Sequence, residues 1–224
     1  MSALVRYQVG ILFRSHRWVF PLITYVILLS VAGVGQKQPL SEGLDWSAAV
    51  LLPVVALLTR SMLTAEPGAA RSCTAAARGP VRPQLAVLFT ALVAGMVLGL
   101  AGAGYEIVTS QAGPQLFGSH AGAAIATLGA GLGKALICAF VGSAVGTLCN
   151  PPVVRHQAIA LLSTVAAVVL ALVASVSPAN AALRGSGATI QASDWPTGVP
   201  FLAALALIAA AWAISAWMAA RRGS

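Results

Sequence analysis

The sequence predicts an all-α integral membrane protein of six spans, with an N-terminal interfacial helix and a cytoplasmic helix between spans two and three. Three observations carry that reading. The 224 residues are 58% hydrophobic and only 8% charged, against about 25% charged in ordinary soluble domains. Apolar runs of roughly 18 residues or more recur along the chain, the length a helix needs to cross a bilayer. The arginines are spread along the ends of those runs. Transmembrane barrels need alternating polarity with turn clusters about every ten residues, and that pattern is absent.

Residues 2–17 place Leu4, Val5, Val9, Ile11 and Leu12 on one side and Arg6, Arg14 and Arg17 towards the other. This is the pattern of a helix lying in the membrane interface. Span one is expected at about 18–34, with Trp18 at the water boundary. A polar turn holding Lys37, Glu42 and Asp45 leads into span two, about 46–63, which Pro53 should kink.

Between Arg60 and Pro83 lies the longest polar interruption, with four of the eleven arginines. It reads as a short helix over about 66–78. Thr64 or Glu66 can accept its first N–H bonds, and Pro67 suits the first helical position. Gly79-Pro80 stops it, with Arg78 in the last turn. The segment is either an ordinary positive loop or a handle for a partner protein.

Span three is expected at about 84–108, where Gly95 and Gly99 permit close helix approach. Span four is placed at about 126–149, ending on Asn150-Pro151-Pro152, with 120–125 as an interfacial turn and Gly142 and Gly146 in its later half. Span five covers about 156–176. Ser177 and Pro178 open a short external helix over about 177–184. Span six, about 199–218, closes on Arg221-Arg222.

With the N-terminus inside, Arg6, Arg14, Arg17, Arg60, Arg71, Arg78, Arg82, Arg155, Arg221 and Arg222 are cytoplasmic, while only Lys37 and Arg184 are external. That asymmetry follows the positive-inside rule and places both termini in the cytoplasm. The net charge of +8 is scattered along helix ends without aromatic clustering, which argues against nucleic acid as a partner. Cys73, Cys138 and Cys149 form no ligand or disulfide pattern. His16, His120 and His156 are isolated, so no metal site is expected.

Lys134 is the one ionisable residue clearly within a span. It can serve as a substrate-anion site or proton-linked switch, or it can snorkel to the interface; the second reading is the plainer one. Glu106, near the outer end of span three, can pair with Lys134 or be solvated, and solvation is preferred. GAGLGKA around Lys134 is no phosphate loop: the first required Gly falls on Leu128, Ala135 replaces the required Ser or Thr, and no strand precedes it. No catalytic constellation is found, so an enzyme is not expected and no cofactor is expected on this chain.

Taken together, the N-terminal stretch VRYQVGILFRSHRWVFPL, the segment EPGAARSCTAAARGPVRP, the turn GSAVGTLCNPPVVR and the segment SVSPANAAL resemble the membrane subunit of bacterial type-2 ABC exporters. The resemblance implies a dimer of permeases, most simply a homodimer, on a separate ATPase subunit that holds ATP and magnesium. It implies that Glu66, Pro67, Arg71, Ala75 and Arg78 dock on that ATPase as a coupling helix. It also implies a substrate path lined by spans one, two and five. An apolar path suits a hydrophobic or amphipathic small molecule, a lipid or a peptide. Two other readings stand beside it. One is a gradient-driven transporter or channel using Lys134, perhaps with Glu106. The other is a non-transporting membrane scaffold or immunity protein. Arg- and Ala-rich composition suggests a bacterial plasma membrane.

Overall fold

The computed structural model describes residues 6, 10, 14, 16, 18–33, 39–65, 79, 81–110, 121–149, 157–184 and 198–222. Its elements are α1 (Val19–Gly33), α2 (Leu40–Ala65), α3 (Val81–Thr109), α4 (Ala121–Leu148), α5 (Gln157–Val173), α6 (Pro178–Arg184) and α7 (Gly198–Arg222). Every element among the described residues is helical. Four of the helices, α2, α3, α4 and α7, are long and apolar enough to cross a membrane. The pair α5–α6, bent by 43°, adds a fifth span if counted as one. At 15 residues, α1 is about 22 Å long, short of the roughly 30 Å of a hydrocarbon core.

Helix ends follow local chemistry. The carbonyl of Pro39 accepts from the amides of Glu42 and Gly43 at 3.1 and 3.2 Å, so α2 begins at Leu40 instead of near residue 46. Glu42 in its first turn favours this start through the helix dipole. The earlier start turns the expected polar loop into helix and carries Asp45 into the bundle. Likewise α3 begins at Val81, because Pro83 falls in the first turn, where its missing N–H costs nothing. Gly79 has φ 78°, a left-handed conformation that glycine adopts without steric cost. No proline interrupts 121–148, and α4 is continuous through the stretch expected to be a turn. It ends before Asn150-Pro151-Pro152, as expected.

The core is organised around α2. Fifteen of its 26 residues are buried, and it packs on α1, α3, α4, α5 and α6. Such enclosure requires neighbours with little side-chain bulk, and glycines supply them. On α3, Gly95 meets Val55 and Gly99 meets Leu51. On α4, a Cβ at Gly142 would lie 2.5 Å from the Leu52 carbonyl oxygen, and one at Gly146 would lie 2.6 Å from that of Ala56. These helices therefore approach backbone to backbone, the arrangement small residues permit in a membrane. Lipid-facing character lies outside: α1, α5 and α7 expose Phe20, Ile27, Leu162, Leu170, Leu202 and Trp217.

The expected break after α5 is real. A turn over 174–177 is closed by the Ser177 amide donating to Ala174 at 3.0 Å. The Ser177 carbonyl then accepts the first bond of α6 from Ala181, also at 3.0 Å. Asn180 donates from Nδ2 to the carbonyl of Leu172, one of the last carbonyls of α5. The side chain thus fixes the bend by satisfying backbone that the break has freed.

Replacing Gly142 or Gly146 by Val should destabilise the bundle by about 1–3 kcal/mol or more, because the obstacle is backbone. Alanine at Gly104 or Gly133, where nothing lies within 4 Å of the added Cβ, should be neutral or stabilising. Thermal unfolding in detergent compares the two sets.

Candidate intramembrane charge site

Two buried charge centres flank α2 near the end where it begins. The first is Lys134 on α4, which donates from Nζ to Oδ1 of Asp45 on α2 at 2.6 Å. The lysine side chain is 7% exposed and the aspartate 21%. Snorkelling is thereby replaced by pairing: the ammonium is neutralised inside the bundle instead of reaching water. Cys138, one turn along α4, is fully buried and within electrostatic range of both partners. In so dry a setting the attraction is strong, yet it mainly offsets the cost of removing two charges from water.

The second centre is Glu106 on α3, which is 7% exposed and so is not solvated as its position near the helix end suggested. Its carboxylate lies against Gly43, where a Cβ would collide with it. One turn further along, the hydroxyl of Tyr25 from α1 occupies the space over Gly102, beside Ser47. Tyr25 is 2% exposed, its hydroxyl has no hydrogen-bond partner, and it lies within electrostatic range of Glu106.

The pairing of Lys134 with Glu106 is absent, and helix geometry explains why. Gly43 and Asp45 are two residues apart, about 200° around α2. Glu106 rests on the Gly43 side while Lys134 reaches the Asp45 side, so the body of α2 separates them. Asp45 and Tyr25 are the members that sequence reasoning missed. The signal for Asp45 was available in Pro39-Leu40-Ser41-Glu42, a helix start upstream of the apolar run. Tyr25 carries no such signal.

Glu66, Pro67, Arg71, Ala75 and Arg78, assigned to partner coupling, lie outside the described residues. Of the N-terminal segment, Arg6, Gly10 and Arg14 are helical and exposed, while Leu4, Val5, Val9, Ile11, Leu12 and Arg17 lie outside the described residues. Among the described residues, no group of three or more His, Cys, Asp or Glu could hold a metal ion. Comparison with known protein families, curated proteins and solved structures finds no match.

Charge balance predicts an asymmetric mutational response. Asp45→Asn strands the more deeply buried ammonium and should cost about 3–5 kcal/mol. Lys134→Met leaves the better solvated carboxylate and should cost less. The double variant should recover most of the loss. Thermal melts of the four proteins form the cycle, and additive losses would remove the pair from the account.

Proposed function

We propose that this chain is the membrane-spanning subunit of an ATP-driven exporter of the type-2 ABC kind, working as a dimer on a separate ATPase. The observation that carries the reading is the bent α5–α6 pair. A helix that stops, turns by 43° and forms a further short helix before the last span is the structural counterpart of the Ser-Pro segment on which the resemblance partly rests. Its helices are anchored to each other by Asn180, which suits a gating element that moves as a unit.

On this reading α1 is a sixth span, completed by the residues flanking it, and both termini face the cytoplasm of a bacterium. Residues 66–78 form the coupling helix in a groove of the ATPase, which binds ATP and magnesium. The exposed apolar faces of α1 and α5 flank α2, as a path between two copies would require. A hydrophobic or amphipathic cargo, such as a lipid, peptide or small molecule, fits walls of this composition.

A gradient-driven transporter is the second reading, favoured by the buried Lys134–Asp45 pair, since ionisable groups inside membranes commonly mark ion pathways. The two readings differ in whether an ATPase is required.

A mild-detergent pull-down from native membrane, followed by mass spectrometry, should recover a soluble ATPase together with this chain. Scrambling residues 66–78 should abolish the recovery. Isolation of this chain alone, under conditions that preserve a known ABC complex, would favour the gradient-driven reading.

A further inference from the structure

Among the described residues no cation is paired with the charge of Glu106. The ion pair Lys134–Asp45 lies on the far side of α2. The Glu106 carboxylate is held in the groove between α2 and α3, with Gly43 beneath it. An unpaired carboxylate in such a place is costly enough that it must acquire a positive partner or lose its charge.

The walls of the groove decide between those outcomes. From α1, Tyr25 places its hydroxyl over Gly102 of α3, in the space that an added Cβ there would share with Ser47 of α2, while an added Cβ at Gly43 would meet the Glu106 carboxylate itself. The hydroxyl of Ser47 is already donated to the Leu44 carbonyl at 3.0 Å. Among the described residues no ammonium or guanidinium group is paired with the carboxylate, and no group of three or more His, Cys, Asp or Glu stands ready to hold a metal ion. A proton is the partner that remains.

We propose that Glu106 is a proton-binding site whose occupancy depends on closure of the groove by α1. With Tyr25 seated, the carboxyl carries a proton taken from water at the end of α3, three residues beyond which the helix stops at Thr109. Withdrawal of α1 uncovers the carboxyl and the proton returns to water. Reseating α1 requires a proton to be picked up first.

The charged and titratable groups around the site support this assignment. Tyr25 faces it from α1. On α2, Glu42 is exposed, and Asp45 points to the opposite side and is neutralised by Lys134 of α4. Tyr105, the neighbour on α3, is directed outwards. None supplies a cation to Glu106. Tyr25 brings a buried hydroxyl that has no hydrogen-bond partner to within electrostatic range of the carboxyl.

Infrared spectroscopy of the purified full chain in lipid vesicles reads the site directly, because a protonated carboxylic acid has a carbonyl stretch that a carboxylate lacks. With only five acidic residues in the chain, the band is assignable. At neutral pH the wild type should show it, Glu106→Gln should lose it, and Asp45→Asn should retain it. Tyr25→Phe should shift its frequency. The proposal is overturned by a wild type without the band, by a band that survives Glu106→Gln, or by an unmoved band in Tyr25→Phe. Glu106→Gln mimics the protonated carboxyl in shape and should fold, so a failure to fold would show that the charged form is required and also refute it. The outcome is independent of whether an ATPase partner exists.

Discussion

The close approach of α4 to the backbone of α2 is the constraint on which the remaining structure depends. Between helices in lipid there is no water to expel, so association must come from close packing and interhelical polar contacts. Gly142 and Gly146 allow the carbonyls of Leu52 and Ala56 to face glycine directly. With α4 that near, α2 can be enclosed by α3 on another face, and α1 and α5 complete the surround. Pro53 is accommodated within α2, which is helical throughout from Leu40 to Ala65, next to neighbours that pack on it. The outer helices are left with broad apolar faces, as a bundle that meets lipid or another copy of itself requires.

Electrostatics follows from the same geometry. Because α2 is central, it partitions the charges of its neighbours: Lys134 finds Asp45 on one side, while Glu106 and Tyr25 share the other. The ion pair joins the beginning of α2 to the middle of α4, and the contacts of Gly142 and Gly146 join them further along. These two helices are thus tied at several levels. By contrast, α1 is held to α2 by thinner means, including the Trp46 indole donating to the Leu28 carbonyl at 3.0 Å. A bundle with a firm α2–α4 spine and a more lightly attached α1 is suited to motion at α1, which is where Tyr25 sits.

Much of the fold was legible because helix ends are written in local chemistry. Ser177-Pro178 and Asn150-Pro151-Pro152 marked real boundaries, and the Gly95/Gly99 and Gly142/Gly146 pairs marked real close contacts. The start of α2 was misplaced because apolar content says where a helix meets lipid, whereas the hydrogen bonds to Pro39 say where the helix begins. That shift of six residues hid Asp45. That helix start would have placed Asp45 in α2, but its pairing with Lys134 and the burial of Glu106 were not legible, since both depend on which faces of separate helices come together. Six spans were expected; among the described residues four helices, or five counting the bent pair, meet the length and apolarity of a span. The short α1 accounts for the difference.

The account turns on whether residues 66–78 contact an ATPase in the living membrane. A photo-crosslinking amino acid at position 71, activated in intact cells and followed by mass spectrometry of the adduct, addresses this without disrupting the complex. The account predicts an adduct with a nucleotide-binding subunit, reduced when the N-terminal basic face of Arg6 and Arg14 is neutralised. Adducts only with lipid or with another copy of this chain would contradict it.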